Sequence, residues 1–325
     1  MYLNGKKVLV AGATGMVGFC IIEHILKNFP RAAIRAAYHK NTKPFLKDRR
    51  IEYVCADLLT PADCLKAAYG CDAAVMAAAV TDNAATFAQG TNYFSGDNVM
   101  MNMNLLKAFT QTKVARVVFL SSATVYSELS TPIKESDLDF NQEPNARQFF
   151  IGWSFRFIEK MCRFWHIQTS KDMIILRLSN IFGPWARFDP RRSNFIPALI
   201  RKASDKINPF TVWGNPSVER DVLYSEDAAC AVAAAINKIG VKNDCFNVGS
   251  GVGFKVSSAV ECVTQCVGYR PQIKYDTRKP VTVKSRVLDI TKIARVLNWR
   301  PQYTPQEGII KTFAWWQENK RRWKK

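Results

Sequence analysis

The sequence predicts an α/β protein: a doubly wound parallel sheet with a smaller α/β lobe at its C-terminal end. Three observations predict it. Short apolar runs alternate with helical patterns from Lys7 to Leu178. A glycine-rich turn separates the first apolar run from the first helix, and the alternation loosens after Gly183-Pro184. Strands and helices alternating at this spacing form right-handed βαβ units, and those units build a parallel sheet.

Lys7 to Ala11 (KVLVA) reads as a strand buried on both faces. Helical periodicity follows over Phe19 to Phe29 and is stopped by Pro30. Further strands are expected at Ala33 to Tyr38, Ile51 to Cys55, Asp72 to Val80, Arg116 to Ser121 and Met173 to Leu178. Helices are expected at Ser95 to Thr112 and Ser154 to His166. Past Gly183, helices are expected at Asn194 to Ala203, Ser257 to Gly268 and Thr304 to Asn319, with short strands between them.

Composition narrows the functional classes. Hydrophobic residues make up 48% and charged residues 22% of the 325, the balance of a folded chain rather than a disordered one. The N-terminal apolar run is too short for a signal sequence, and no apolar stretch reaches the ~18 residues of a membrane span. The nine cysteines lack paired CxxC spacing and read as reduced thiols, so a cytoplasmic location is expected. With three histidines, none grouped with cysteines, no metal site is expected. Of the net charge of +19, five positive residues lie in the last six and the rest are spread along the chain. That spread suits attraction of small polyanions. No motif points to nucleic acid or to an anionic membrane surface as a partner.

The turn itself is Gly12-Ala13-Thr14-Gly15-Met16-Val17-Gly18. Gly12 ends the strand where a side chain would obstruct the turn, and Gly15 lets backbone approach a pyrophosphate. Gly18 allows the helix to pack closely on the sheet. The helix start then offers unpaired N–H groups and a positive dipole end to phosphates, with Thr14, Met16 and Val17 completing the cradle. The same residues could instead be a purely structural turn. Residues 1–184 are thus expected to form a Rossmann-like dinucleotide-binding domain, to which a segment near 210–248 returns. Residues 185–325 are expected to form a substrate-binding lobe over the carboxyl edge of the sheet. An acid at the end of the second strand would select NAD. Here Tyr38, His39 and Lys40 stand there instead, which favours NADP, with NAD as the alternative. Asp57, past the third strand, is placed to accept from an adenine amino group.

In order, these residues resemble the extended short-chain dehydrogenase/reductase family of nucleotide-sugar epimerases, dehydratases and reductases. The resemblance runs through Gly12, Gly15 and Gly18, Asp57-Leu58, Ala77-Ala78-Ala79, Asn98 and Ser121-Ser122-Ala123-Thr124-Val125-Tyr126. It continues through Arg177 to Pro184, Arg220-Asp221-Val222-Leu223-Tyr224, Asn247 to Gly251 and Leu297 to Pro301. Pro132 to Ser136, Ile196 to Ile200, Val212-Trp213-Gly214, Lys279-Pro280 and Arg286 are similar to its GDP-fucose synthase-like branch. The resemblance implies that Leu58, Ala77, Ala78, Ala79, Asn98 and Ser121 line the cofactor groove and that Ser122 meets the reacting sugar hydroxyl. It also implies that Asn180, Arg220 and Arg286 hold a nucleotide diphosphate, and that two long helices pair in a homodimer. Trp213 would pack on the base or serve as a core residue, and Asn194 stands where the branch has a histidine.

One part of the family pattern is missing. The family's Tyr-x-x-x-Lys pair falls on Ile151 and Phe155, and no such pair occurs between Tyr126 and Arg177. An isoleucine carries no proton and a phenylalanine holds no ribose hydroxyl. Loss of a positioned acid/base costs about 10²–10⁴-fold in rate. The branch's cysteine is likewise replaced, by Ala123 or Thr124. Thr124, Tyr126 and Tyr93 remain as alternative proton carriers, although Tyr126 also belongs to the structural strand-end motif. Two readings follow: an enzyme acting on a nucleotide sugar through a non-standard relay, or a catalytically silent protein that binds the same ligands.

Overall fold

Apolar residues at every position of a strand require cover on both faces, and the central sheet has it. In this computed structural model, residues 1–39, 46–80, 94–190, 193–278 and 285–323 are described. Lys40, Tyr93 and Lys279-Pro280 lie outside them. The chain runs β1 (Lys7–Ala11), α1 (Met16–Asn28), β2 (Ala33–Tyr38), β3 (Ile51–Cys55), α2 (Pro61–Ala68), β4 (Ala73–Met76), α3 (Phe94–Thr110) and β5 (Arg116–Ser122). Next come α4 (Phe149–Thr169), β6 (Asp172–Leu178), β7 (Asn180–Phe182), α5 (Phe195–Ser204), β8 (Phe210–Trp213), β9 (Glu219–Arg220), β10 (Val222–Tyr224) and α6 (Ser225–Asn237). Last are β11 (Asn243–Val248), β12 (Phe254–Lys255), α7 (Val256–Val267), β13 (Ile273–Asp276), α8 (Thr291–Leu297) and α9 (Pro305–Asn319).

The seven-stranded sheet has the order β11-β6-β5-β4-β1-β2-β3, with every pairing parallel. Alternate residues of each strand serve opposite faces. Val8 and Val10 pack with α1, α6 and α8, whereas Leu9 and Ala11 pack with α2, α3 and α4. A third apolar cluster unites α5, β8, α7 and α9 into the smaller lobe. Chain order reverses between β1 and β4, which opens a crevice at the carboxyl ends of the strands.

Several boundaries differ from expectation for identifiable reasons. β4 stops at Met76 rather than Val80, and α4 begins at Phe149, one turn and more before Ser154. α2 is a short helix opened by a proline at its first turn, too brief to show a period in the sequence. α6 (SEDAACAVAAAIN) is buried nearly all round and so carries no polar stripe.

Beneath the crevice lies a buried ion pair. Arg177 on β6 grips Glu159 on α4 with two N–H groups, Nε to Oε1 at 3.0 Å and Nη2 to Oε2 at 2.7 Å. Ser121 Oγ donates to the same Glu159 Oε1 at 2.6 Å. Removing one partner of such a pair strands a charge in the interior. Glu159→Gln is therefore expected to cost about 3–5 kcal/mol of unfolding free energy. Urea unfolding would show this as a lowered midpoint with an unchanged slope.

Candidate cofactor and ligand cleft

The turn after β1 closes against the strand-end of β4. Gly12 has φ +90°, and a Cβ there would lie 2.7 Å from Ala78 Cα and N. A Cβ at Gly18 would lie 2.2 Å from the Gly12 carbonyl oxygen. These two positions accept no side chain without moving backbone. Gly12 N and Ala13 N both donate to Ala37 O, at 3.2 and 3.0 Å, tying the turn to β2. Gly15 caps α1, is exposed, and is followed by a first turn with no acidic residue. Thr14, Met16 and Val17 are half-buried around it. The cradle thus keeps a helix start with free amides and no competing carboxylate, a suitable seat for phosphate oxygens.

At the ends of β2 and β3, the exposed His39 ring lies 3.8 Å from the Asp57 carboxylate. Tyr38 meets Tyr53 edge-on, and Tyr53 donates to Leu46 O at 2.8 Å. Not all expected groove residues face the groove. Ala77 and Ala78 are half-buried and Ala79 exposed along its edge, but the Leu58 side chain lies in the core against α2 and α3. Asn98 is buried, and its amide exchanges two hydrogen bonds with the Val80 backbone, Oδ1 from N at 2.8 Å and Nδ2 to O at 2.9 Å. It clamps the segment after β4 instead of reaching into the groove. The Ser121 side chain, 2% exposed, is turned down onto Glu159, so its hydroxyl does not line the groove either.

Next to Ser121, β5 ends in a 3₁₀ turn, Ala123–Val125, with Thr124 N donating to Ser122 Oγ at 3.2 Å. Ser122 is half-buried. Thr124 Oγ1 is buried and has no hydrogen-bond partner among the described residues. Gly152 of α4 approaches this turn so closely that a Cβ would lie 2.7 Å from Thr124 O. Ile151 and Phe155, four residues apart on α4, are both half-buried, and the Phe155 ring packs on Phe119 at 6.0 Å between centroids. Tyr126 corrects the expectation of a reacting phenol. It is 0% exposed, donates to Asn247 Oδ1 at 2.6 Å and accepts from Arg177 Nη1 at 2.9 Å, and burial pushes its phenol well above the ordinary range. A group so enclosed supports the floor and cannot meet a ligand.

On the lobe side, Asp221 acts as a hub. It is 1% exposed and accepts from Ser250 N at 2.7 Å, Ser250 Oγ at 2.8 Å and Leu288 N at 3.1 Å. Burial pushes its carboxyl up, and those donors pull against it. Through it the neighbouring residues converge. Asn180 Nδ2 donates to Asp221 O at 2.9 Å, Arg220 is adjacent in sequence, and Asp221 N donates to Arg286 O at 3.2 Å. Arg220 is half-buried, and burial lowers its guanidinium to about 10. Arg286 is 6% exposed and is likewise lowered to about 10 by burial and by the Arg220 charge. Its Nη1 donates to Gln148 Oε1 at 2.8 Å, a partner with no signal in the sequence pattern. Burial of both side chains, and the repulsion of Arg286 by Arg220, disfavour their charged forms. Asn194 is exposed just before α5, and Trp213, 46% exposed, ends β8.

Comparison with known proteins agrees with this geometry. Residues 8–249 match the model of the NAD dependent epimerase/dehydratase family. The chain is 28% identical over 331 residues to a probable GDP-L-fucose synthase 1 of Oryza sativa subsp. japonica, covering 97% of this chain and 93% of that one. Among solved structures it shares the fold of a UDP-glucose 4-epimerase of Thermotoga maritima, with TM-score 0.84, 18% identity and coverage of 96% and 99%. It also shares the fold of a GDP-mannoheptose C4 reductase of Campylobacter jejuni with NADP bound, with TM-score 0.78, 21% identity and coverage of 98% and 99%. No described helix is long and apolar enough to cross a membrane, and no group of metal-ligating side chains occurs among the described residues.

The crowding at Gly18 makes a direct test. Gly18→Ala is expected to weaken binding of NADPH or NADH by at least about tenfold, or 1.4 kcal/mol. Gly96→Ala on α3, where a Cβ meets nothing within 4 Å, leaves affinity unchanged. Fluorescence titration of the two folded variants checks this.

Proposed function

Because the chain belongs to the NAD dependent epimerase/dehydratase family, we propose that it binds NADP and a nucleotide sugar in one cleft and modifies the sugar through a non-standard proton relay. The observation that carries the reading is the burial of Arg220 and Arg286 beside the Asp221 hub, together with the glycine cradle after β1. A planar guanidinium grips phosphate oxygens through two N–H groups, so the pair suits a nucleotide diphosphate. NADP is preferred to NAD because β2 ends in Tyr38-His39-Lys40 with no carboxylate. The nicotinamide, when bound, supplies hydride acceptance and return. Ser122 then hydrogen-bonds the reacting hydroxyl and takes part in moving its proton, since Ile151 and Phe155 cannot, with the buried Thr124 hydroxyl behind it.

A second reading, a catalytically silent binder acting through a partner, is favoured by a specific observation. With Tyr126 sealed away, only aliphatic hydroxyls remain at the end of β5, and these are poor acids and bases near neutral pH. Purified protein screened against GDP-, UDP-, dTDP- and CDP-sugars with NADP and NAD separates the two. A relay through the hydroxyls predicts measurable turnover that falls about 10²-fold or more in Ser122→Ala. The silent reading predicts turnover only after Ile151→Tyr with Phe155→Lys. Absence of nucleotide-sugar binding by every variant overturns both.

A homodimer belongs to the same proposal. Phe150, Phe157 and Phe164 recur every seven residues on α4 and are exposed, as are Ile167 of the same helix and Met100 of the adjoining α3. An apolar strip of this kind on two neighbouring helices is suited to a second copy's matching strip. Phe157→Glu with Phe164→Glu is expected to convert a dimer to a monomer in sedimentation velocity, with the far-ultraviolet spectrum unchanged.

A further inference from the structure

We infer that Gln148 is a positioning residue that holds Arg286 in place while leaving its charge uncancelled, so that the charge is available to the ligand's diphosphate. The inference rests on the reading of Arg286 as a diphosphate grip and names how that grip is built.

Buried arginines elsewhere in the chain are compensated within the protein. Arg177 has the Glu159 carboxylate, and Arg116, 2% exposed, has Asp172 at 2.6 Å together with the carbonyls of Ala235 and Lys238. Arg156, 0% exposed, donates to the Val125 and Gln142 carbonyls and the Ser127 hydroxyl, and its guanidinium lies 4.8 Å from the Trp153 ring centroid. Arg286 has no carboxylate such as those that pair with Arg177 and Arg116, and fewer acceptors than Arg156: its described hydrogen bonds go to Gln148 Oε1 at 2.8 Å and, at 3.5 Å, to Tyr126 O, both neutral. A guanidinium has five N–H donors, so most of its donors are left for an incoming group.

The surroundings preserve that charge. Among the described residues, the charged groups that act on Arg286 are Arg220, which repels it, and Glu128, which attracts it. Glu128 Oε1, however, accepts from Asn145 Nδ2, and Asn145 Oδ1 accepts from Arg147 N at 3.0 Å. Asn145 therefore draws the nearby carboxylate to itself and, with the same side chain, shapes the 3₁₀ turn Ala146–Gln148 that carries Gln148. A glutamate at 148 would have nearly the same shape and could keep the 2.8 Å contact, but it would neutralise the cation. Structure and charge thus make opposite predictions for one substitution. If Gln148 only braces the fold, Gln148→Glu is harmless or better, because it turns a hydrogen bond into an ion pair.

The test uses the full chain, with GDP and UDP as probes, titrated calorimetrically at low and at physiological salt. Gln148→Glu is expected to weaken whichever diphosphate the wild type binds by about tenfold or more and to flatten its salt dependence, as loss of a ligand-facing charge does. Its melting temperature should equal or exceed that of the wild type, and NADPH affinity should not change. Gln148→Met, which removes the contact without adding charge, is expected to weaken binding about threefold, with the salt dependence retained. Diphosphate binding by Gln148→Glu at wild-type strength overturns the inference. If the wild type takes up NADPH but neither diphosphate, the arginine reading itself fails and the inference falls with it, a result distinct from the first.

Discussion

The Glu159–Arg177 pair sets the geometry on which the cleft depends. It joins α4 to β6, and Ser121 brings β5 into the same contact. Arg177 also reaches Tyr126, whose hydroxyl bonds Asn247, and Asn247 N donates to Glu135 Oε1 at 2.7 Å. One continuous polar network therefore fixes the ends of β5, β6 and β11 against the helix that borders the site. In a low-dielectric interior such a network contributes only if every member is satisfied. The satisfaction of Tyr126 within it is what removes that phenol from chemistry.

The two sides of the crevice are built on different physics. On the cofactor side the controlling quantity is space, since Gly12 and Gly18 are pressed against backbone where a methyl group has no room. The backbone itself becomes the binding surface. On the lobe side the controlling quantity is desolvation. Asp221 anchors the Ser250 turn and the Leu288 backbone, and Arg220 and Arg286 are held beside it with part of their hydration removed.

Ile151 and Phe155 occupy one face of α4 beside the Ser122–Thr124 turn, and Phe155 extends the apolar packing of Phe119. Neither side chain carries a proton or a hydrogen-bonding group, so the face they form contributes apolar packing.

What the sequence determined by itself was the backbone-scale plan. The period of apolar runs specified the parallel sheet, and the spacing of Gly12, Gly15 and Gly18 specified the phosphate-binding turn, because both follow from local sterics. The absence of a Tyr-x-x-x-Lys pair between Tyr126 and Arg177 was equally plain. Short or fully buried helices such as α2 and α6 were not legible, since neither shows an amphipathic period. Only the tertiary structure decided side-chain direction. It turned Ser121 down to Glu159, spent the amide of Asn98 on Val80, sealed Tyr126 and joined Gln148 to Arg286 across 138 residues. Those assignments depend on which polar groups meet after burial, and residues far apart in sequence carry no local signal of that meeting.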